Sequence, residues 1–579
     1  MTQRYRNLTP AEIEKLERQG NFADDWAAVQ VAEPFRAECI RNSTFEGHVT
    51  IGANASIRDV RLLADYMLGD NVTLFNIGEM TGGGTPKPLE VMNENGGRAI
   101  LPFAGMTIGE AYMWARYRGR KKFMERLEQM TNDVLASNEG RCGRVGDHCT
   151  IKNTNCIRNT SILSRSDDPT TIDGALALCD GVVGYGCTVE HGVIAERFLL
   201  GEHVHLEFGL RLNDTVVGDN STLARCEVGN SIIFPAHEQH HNNSFLIAGL
   251  IMGQSNIAAG GTIGSNHNSR TADNEIVGGR GFWPGLCCSF KHSSRFASYC
   301  LLSKGDYPAE LDITLPFALV NNNVSKDQLE IMPAYWWMYN MYAMDRNSKK
   351  FAKRDKRVVK AQHIEFDNLA PDTAEEIFRG IMQLRAWMAA STTDTVYAQG
   401  QEKSKRPTVV LKAAEGLKAY EDMLVFYAMK NLESGKWHPE GELNTLKKKK
   451  NAVKKVESGK RETEWVNIGG QLIAKQDMEQ LIADVESGKL GDWTAIRARF
   501  DTLWEAYPVQ REAHAYSVLC RLAGVDKLTD DLWQQYQQRY AEIQKYIEEQ
   551  KVASRHKDEV NPFRNMTYWD DDERAAVLG

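Results

Sequence analysis

The chain has 579 residues, of which 42% are hydrophobic and 25% charged, and its formal net charge is −8. This length allows two to four domains with at least one large core, and the negative charge argues against general nucleic-acid binding. No apolar run approaches the ~18 residues that span a bilayer, and the polar first twenty residues lack the apolar centre of a secretory signal. We therefore expect a cytoplasmic protein without a membrane span.

Residues 1–44 are predicted to form a helical lead-in. Thr9 supplies a helix cap, Pro10 suits the first helical position, and the following AEIEKLERQ is rich in helix-forming residues. A second helical segment, TIGEAYMWARYRGRKKFMERLEQMTNDVLAS, follows the turn-rich TGGGTPKP. Because a repeated pattern stands on both sides of it, we interpret residues 82–140 as a helical insertion in a repeat domain.

Residues 45–305 carry a repeat of 17 residues. Five phrases begin at positions 183, 200, 217, 234 and 251, and they read VGYGCT, LGEHVH, VGDNST, FPAHEQ and IMGQSN. An apolar residue recurs about every six positions, and glycine or asparagine stands where the backbone needs a left-handed conformation. Six-residue units, three to a turn, describe a triangular stack of short parallel strands with apolar residues inside. The pattern predicts a mainly β domain, a parallel β-helix.

The composition changes after residue 305. The bridging stretch YPAELDITLPFALVNNNVSKDQLEIMP is extended, and most of the remaining chain has apolar residues at intervals of three and four, as in helices. Residues 306–579 are therefore predicted to be a bridging segment and a mostly helical C-terminal domain. We interpret the lysine run at 447–450 as a solvated helix face, because acidic residues follow it.

The eleven cysteines are predicted to be free. Cys142, Cys149 and Cys156 recur every seven residues, and Cys187 and Cys226 occupy small-residue positions of the repeat. A buried free cysteine packs as a small hydrophobe, so we expect packing residues there.

Histidine provides the main functional signal. Ten of the fourteen histidines lie between residues 48 and 292, and imidazole is the usual general base near neutral pH. In the 17-residue register His240 falls at an inward position, where Leu206 and Leu223 stand in earlier coils. A polar residue there breaks the pattern, and such breaks tend to mark function or strain.

Three polar segments, PAHEQHHNNS, TIGSNHNSR and KHSSR, lie one or two coils apart. Because neighbouring coils are ~4.8 Å apart, we expect them to line one groove of roughly 10–15 Å, which suits a sugar phosphate or part of a nucleotide sugar. The candidate catalytic residues are His267, His240 and His241, with His267 preferred as general base. The candidate substrate-binding residues are Asn266, Asn268, Arg270, Lys291, His292 and Asn242, of which Arg270 and Lys291 suit an anionic group.

The alternative is that these are surface residues at turns, and we adopt it for His48, His148, His191 and His203. No metal site is predicted: His203 and His237 share a column, but the coil between them offers Asn220. The two imidazoles would then be about 9.6 Å apart, too far for one zinc ion. A local chelate of His237, His240 and His241 stays open.

The hexads resemble the left-handed β-helix superfamily of trimeric hexapeptide transferases, which includes UDP-N-acetylglucosamine acyltransferase and serine and maltose acetyltransferases. The resemblance covers roughly residues 45–302, and the handedness is implied by it. The phrases GGRAILPFAGMTIGEAYMWARYRG, TIGSNHNSR and PAYWWMYNMYAMDRNSKKFAKRDKR are also similar to a family of large bacterial hexapeptide-repeat proteins of uncharacterised function. Nucleotide-binding motifs such as GxxxxGK[ST] and GxGxxG, and the GxSxG elbow, are absent from the sequence.

The resemblance implies a homotrimer that transfers an acyl or acetyl group to a sugar, sugar phosphate or nucleotide sugar. The donor would be acyl-CoA or an acyl carrier protein, and a coil-borne histidine, His267 or His240, would be the base. The insertion and the large C-terminal domain are departures from the simple acetyltransferases. Two alternatives remain: a non-acyl sugar-phosphate enzyme (lyase, isomerase or hydrolase) in the same groove, and a non-catalytic scaffold.

Overall fold

Short parallel strands, stacked coil upon coil, dominate the N-terminal half of the structure. The structure is a computed structural model, and it describes residues 4–137, 143–264, 274–434 and 462–578. The strands before residue 138 are β1 (Tyr5–Asn7), β2 (Phe22–Ala23), β3 (Val29–Ala32), β4 (Ile40–Arg41), β5 (Thr44–Glu46), β6 (Val49–Ile51), β7 (Ser56–Ala64), β8 (Met67–Leu68), β9 (Thr73–Thr81), β10 (Leu89–Glu90) and β11 (Ala99–Ile100).

The strands of the second and longest group are β12 (Arg144–Val145), β13 (Thr150–Arg158), β14 (Ser161–Ile162), β15 (Thr171–Asp173), β16 (Ala177–Val183), β17 (Thr188–Glu190), β18 (Ile194–Leu200), β19 (His205–Glu207), β20 (Arg211–Val217), β21 (Thr222–Ala224), β22 (Cys226–Gly229), β23 (Ile232–Ile233), β24 (Glu238–Gln239), β25 (Ser244–Ile247), β26 (Gly249–Ile251), β27 (Thr262–Ile263), β28 (Ile276–Gly278), β29 (Trp283–Pro284), β30 (Ser289–Phe290), β31 (Arg295–Phe296), β32 (Leu301–Leu302), β33 (Asp306–Tyr307), β34 (Asp312–Ile313), β35 (Leu319–Asn323) and β36 (Gln328–Met332). The last four are β37 (Val396–Ala398), β38 (Thr408–Val410), β39 (Trp465–Ile468) and β40 (Gln471–Ala474).

The α-helices are α1 (Pro10–Arg18), α2 (Ile108–Arg116), α3 (Lys121–Ala136), α4 (Tyr335–Tyr339), α5 (Met341–Arg354), α6 (Pro371–Ala390), α7 (Ala413–Ser434), α8 (Lys475–Glu486), α9 (Trp493–Ala523), α10 (Asp530–Glu559), α11 (Pro562–Asn565) and α12 (Asp571–Leu578). Short 3-10 turns occupy Trp26–Ala28, Ala37–Cys39 and Val324–Lys326. Thr9 caps α1: its hydroxyl accepts a hydrogen bond from the Glu12 amide, and Glu12 accepts one from the Thr9 amide.

Each coil of the stack contributes one strand segment to each of three ladders. In one coil, β17 belongs to ladder A, residues 194–196 to ladder B and residues 198–200 to ladder C. In the next coil the partners stand 17 positions further on, since Thr188 pairs with His205 and Ile194 with Arg211. The sequence period is therefore the length of one coil. Parallel pairing begins with β2 and β3 and continues to β34 and β35.

One residue of each strand segment is buried inside the stack, between the three ladders. These residues include Val189, Leu206 and Leu223 in ladder A, Ala195, Leu212 and Val228 in ladder B, and Leu200, Val217 and Ile233 in ladder C. Burial of such a side chain stabilises the folded state by about 1.5–3 kcal/mol, so the stack has a continuous core.

Asparagines of the repeat lie at the corners between ladders. At the corner that joins ladder C to ladder A, Asn71, His148 and Asn220 have φ angles of 57°, 59° and 56°. This left-handed region is unfavourable for most side chains, but asparagine tolerates it because its amide can hydrogen-bond locally. The corner residues thus let the chain turn sharply at every coil.

The outer face of ladder C is also apolar, and the helical insertion covers it. Val182, Leu199, Val216, Ile232 and Leu250 form an outward column that packs in one cluster with residues of α2 and α3. A strand that is apolar on both faces is typical of sheets covered on both sides. The insertion therefore occupies one of the three faces of the stack.

The C-terminal region closes over the insertion from the other side. Arg497 of α9 forms two hydrogen bonds with the buried Glu110 of α2, Nε to Oε1 at 2.7 Å and Nη2 to Oε2 at 2.9 Å. Arg120 binds Glu486 of α8 at 3.1 Å, and the Trp493 indole donates to Thr131 of α3 at 3.1 Å. The insertion is thus held between the stack and the C-terminal helices.

The architecture as a whole is mixed α/β, with a large parallel sheet and a helical C-terminal region. A six-stranded sheet links the two parts, because β29, β32 and β35 continue ladder A while β36, β38 and β37 extend the sheet. In the described ranges, none of the helices combines the length and the apolar character needed to cross a membrane.

Candidate functional site

His240, His241 and Asn242 lie together at the corner that joins ladder A to ladder B. This corner, residues 240–243, is longer than the same corner in the two preceding coils, where residues 208–210 and residue 225 make the turn. The two imidazole rings have centroids 4.4 Å apart. The extra length brings two histidines to the outer edge of the stack.

The predicted inward position of His240 is wrong. Leu223 pairs with Gln239, 16 positions on, and Gln239 is the buried residue of that strand segment. The coil is one residue shorter than the others because Arg225 alone forms the preceding corner. As a result His240 is turned outward, and 38% of its side chain is exposed.

Glu238 is the centre of a charged cluster beside His240. Its Oε2 is 3.2 Å from His240 Nδ1, and its Oε1 is 3.1 Å from Lys350 Nζ and 2.8 Å from Arg354 Nη1. The carboxylate is 13% exposed, and both cations lie on α5, which crosses the outer face of ladder A. A carboxylate at one ring nitrogen fixes the orientation of an imidazole and leaves the other nitrogen to react.

Lys291 and His292 lie at a different corner, the one that joins ladder B to ladder C. Lys291 Nζ is 3.2 Å from Glu310 Oε1, and His292 is buried with its Nε2 3.3 Å from the Ile247 carbonyl oxygen. Strand β25 separates this corner from His240, a distance of about 13 Å for four extended residues. The described residues of the predicted groove therefore do not face one another across a single groove.

Four of the predicted site residues, His267, Asn266, Asn268 and Arg270, lie outside the described residues. Their roles stay predictions.

His237 lies inside the stack. Its Nδ1 is 2.8 Å from Ser255 Oγ and its Nε2 is 3.2 Å from Gln239 Oε1. Complete burial lowers the pKa of His237 to about 4. Because both ring nitrogens are engaged in the core while His240 lies outside it, the three histidines do not form a local chelate. Over residues 4–137, 143–264, 274–434 and 462–578, no group of three or more His, Cys, Asp or Glu side chains is arranged to hold a metal ion.

His203 has a carboxylate partner that the sequence did not reveal. Its Nε2 is 2.8 Å from Asp168 Oδ1, and the two side chains are only 19% and 4% exposed. His203 is therefore partly buried, and the prediction of a plain surface residue is wrong for it. Asp168 comes from a loop that lengthens the coil two before that of His203, and Gly186 occupies the corner between them, so the 17-residue spacing does not connect the two.

A cleft of about 350 Å³ lies between α6 and β39, in the C-terminal region. It is lined by Asp372, Glu375, Glu376, Arg379, Thr463, Glu464, Trp465, Val466 and Lys475. Behind its wall a buried relay runs from Tyr427 to His514 Nδ1, at 2.9 Å, and from His514 Nε2 to Glu375 Oε1, at 3.0 Å. Sequence patterns do not predict this cleft, because its residues come from separate helices and a hairpin without a shared motif.

Comparison with known proteins identifies a family but names no activity. The chain matches the family described as "Domain of unknown function (DUF4954)" over residues 5–62 and 49–388. An "Uncharacterized protein" of Treponema pallidum (strain Nichols) is 40% identical over an alignment of 662 positions, which covers 99% of this chain and 90% of that protein. The family match takes in all three ladders, the insertion and the start of the helical region. The chain belongs to the DUF4954 family.

Proposed function

We propose that the three ladders wind as a left-handed β-helix. The three-ladder coil and the six-residue spacing of the inward residues support a three-sided β-helix, and the left-handed winding rests on the resemblance to hexapeptide transferases. An experimental structure in which the coils turn to the right would overturn it.

We further propose that the protein transfers an acyl group from a thioester donor to a sugar, sugar phosphate or nucleotide sugar. The observation that carries this proposal is the pairing of His240 with Glu238 at an exposed corner of the stack. A histidine oriented by a carboxylate at a coil corner is what a general base for a hydroxyl or amine needs.

The proposed step uses His240 as the base. Nδ1 faces Glu238 Oε2 at 3.2 Å, so the Nε2 lone pair takes the proton of the acceptor hydroxyl or amine. The acceptor atom attacks the thioester carbonyl, the C–S bond breaks, and the thiolate leaves with the proton that the imidazolium returns. Glu238 stabilises the imidazolium formed in between, which assigns it the role of a positioning residue.

Lys350 and Arg354 suggest an acceptor that carries negative charge. Both lie at the same carboxylate as His240, within 3.1 Å and 2.8 Å of Glu238 Oε1. A guanidinium recognises phosphate through paired N–H groups, and an ammonium adds a compact charge. A sugar phosphate or nucleotide sugar fits this cluster better than a neutral sugar. A non-acyl enzyme on the same acceptor would use the same residues, and a non-catalytic scaffold would need neither His240 nor Glu238.

The test is thiol release from acetyl-CoA, or from an acylated carrier protein, in the presence of a panel of sugar phosphates and nucleotide sugars. His240→Ala is expected to lower turnover by about 10²–10⁴ with the fold intact. His191→Ala, an exposed histidine at the same type of corner, is the matched control and keeps full activity. Glu238→Gln is expected to lower turnover with little change in KM, because the imidazolium that forms during the reaction loses its neighbouring carboxylate.

The outcomes separate the alternatives. Turnover of a sugar phosphate without thioester consumption would favour the non-acyl enzyme. Binding of these ligands without turnover, unaffected by His240→Ala, would favour the scaffold. Full activity in His240→Ala combined with loss in His267→Ala would return the role of base to His267.

A further inference from the structure

The cleft in the C-terminal region presents one face of α6 to a tryptophan. Asp372, Glu375, Glu376 and Arg379 stand at intervals of three, one and three residues, so they share one side of the helix. Across from it, Trp465 of β39 and the ion pair of Glu464 and Lys475 line the cleft. Its volume of about 350 Å³ is within the range of small-molecule sites. The charged face of α6 therefore lies opposite one aromatic side chain, in a space large enough for a small metabolite.

Two of the carboxylates on this face have strong internal partners. Asp372 accepts two hydrogen bonds from Arg280, at 3.0 Å and 2.8 Å. Glu375 is bound to His514, whose other nitrogen is bound to the Tyr427 hydroxyl. These contacts hold the floor of the cleft in place and leave recognition to the remaining charges.

Glu376 and Arg379 carry opposite charges one helical turn apart, and they form no ion pair with each other or with the rest of the described chain. Glu376 Oε2 accepts a hydrogen bond from the Ser298 amide at 3.0 Å, which orients the carboxyl group. The turn of α6 separates the two residues by roughly 5 Å along the axis. A molecule that carries an ammonium and a carboxylate a few bonds apart can bridge both.

Trp465 is fixed as a wall by two edge-to-face contacts. Its ring centroid is 6.1 Å from that of Tyr507 and 5.8 Å from that of His514, at interplanar angles of 79° and 86°. Such contacts orient an indole and leave apolar surface for an aliphatic or aromatic group.

We propose that this cleft binds a free α-amino acid with an apolar side chain. Its ammonium group binds Glu376, its carboxylate binds Arg379, and its side chain packs against Trp465. The site lies on α6 and β39, away from the stack corner that holds His240, so it is a second site with its own ligand.

The ionisation of Glu376 adds a pH signature. Burial, and then the negative charge of Asp372, raise the pKa of Glu376 above its ordinary value. A protonated carboxyl loses its attraction for ammonium. Binding is therefore expected to weaken on acidification at a higher pH than an ordinary glutamate would give.

The experiment is isothermal titration of the full chain with L-phenylalanine, L-leucine and L-methionine. The matched probes are N-acetyl-L-phenylalanine, which lacks the ammonium, and L-phenylalaninamide, which lacks the carboxylate. At least one amino acid is expected to bind, and each derivative of a bound one is expected to bind roughly tenfold more weakly or worse, since a charge-assisted hydrogen bond is lost. No binding by the three amino acids, or equal binding by the derivatives, would overturn the proposal.

Variants locate the ligand. Glu376→Gln and Arg379→Gln are each expected to weaken binding roughly tenfold or more. Arg385→Gln is the control, because Arg385 lies on the same helix in an exposed pair with Glu421, outside the cleft lining. Binding that survives both cleft variants, or that the control loses equally, places the ligand elsewhere and contradicts the proposal. His240→Ala is expected to leave this binding unchanged, so its result is independent of the proposed transferase activity.

Discussion

Arg280 and Asp372 join the coil stack to the C-terminal helices through a two-point ion pair. The guanidinium of Arg280 donates from Nε to Oδ2 at 3.0 Å and from Nη2 to Oδ1 at 2.8 Å. Arg280 follows β28 in the stack and is only 3% exposed, while Asp372 belongs to the first turn of α6. A third donor, Arg280 Nη1, binds the Asp367 carbonyl at 2.6 Å. The buried guanidinium of Arg280 therefore links the coil stack to the C-terminal helices.

Removal of the carboxylate at this junction is expected to be costly. Asp372→Asn leaves a buried guanidinium without its counter-charge, which should lower the free energy of unfolding by about 3–5 kcal/mol. Urea unfolding followed by circular dichroism measures this. The double variant Arg280→Met/Asp372→Leu removes both charges and should recover most of the loss. A single variant as stable as the wild type would show that the pair does not hold the junction.

The packing of the insertion on ladder C predicts a second stability effect. Phe234 is fully buried there, and its ring meets Tyr112 edge to face with centroids 5.1 Å apart. Phe234→Ala should cost about 3–5 kcal/mol, because a large buried side chain is lost and a cavity remains. Phe208→Ala, at a corner where the ring is 42% exposed, is the control and should cost much less. Equal losses in the two variants would contradict the packing described.

The buried His237 predicts a stability that falls on acidification. Its pKa in the folded state is about 4, below the ordinary 6.5, because burial disfavours the charged ring. Above pH 6.5 this histidine is neutral in both the folded and the unfolded chain. As the pH falls towards 4, the unfolded chain takes up a proton here and the folded chain does not, so the free energy of unfolding falls by about 3 kcal/mol in total. His237→Gln has no such proton uptake, so its unfolding free energy should change less between pH 7 and pH 4. The difference between the two proteins across that interval is the quantity to measure, and a difference near zero would refute the assignment.

A homotrimer remains a prediction of the resemblance. The insertion covers one face of the stack and α5 crosses another, so we expect the protomers to meet through the face of ladder B. Size-exclusion chromatography with light scattering should give about three times the chain mass of 65.1 kDa. Ile194→Glu, an exposed apolar residue of ladder B, should weaken the assembly. A monomer at all concentrations would exclude it.

The 17-residue spacing was sufficient to predict the coils from Val189 to Leu223, because each of these coils is one period long and Val189, Leu206 and Leu223 lie in its interior. The same spacing failed at His240. The length of an exposed corner can vary from coil to coil. The corner at Arg225 is shorter than the same corner in the preceding coil, and this moves the residues that follow, including His240, by one position in the register. A period counted along the sequence cannot reveal such a shift, since Phe234 and Ile233 are both apolar.

The C-terminal cleft could not be predicted for a different reason. In the sequence, Glu376 and Arg379 look like part of an ordinary polar helix face. Trp465 is not distinguished from the other tryptophans, of which the chain has twelve in all. Their meeting depends on how α6 packs against the β39–β40 hairpin, which is a tertiary contact. Likewise Asp168 and His203 are joined by a loop outside the repeat. A site formed by residues of regular coils can be predicted from the spacing in the sequence, whereas a site formed by tertiary packing of separate elements cannot.

The ion pair between Glu110 and Arg497 spans 387 positions of the chain, and this separation sets an order of events during synthesis. At ordinary translation rates Arg497 leaves the ribosome about 20–80 s after Glu110. Over that interval the coils next to the insertion can already form, while the carboxylate that ends up fully buried in α2 still lacks its cation. The insertion can therefore dock on ladder C early, but its buried carboxylate is neutralised only when α9, in about the last sixth of the chain, arrives. A nascent chain stopped before residue 493 would carry a folded stack and an insertion already bound by α8 through Arg120 and Glu486, with Glu110 still without its cation, and completion of α9 would supply that last contact.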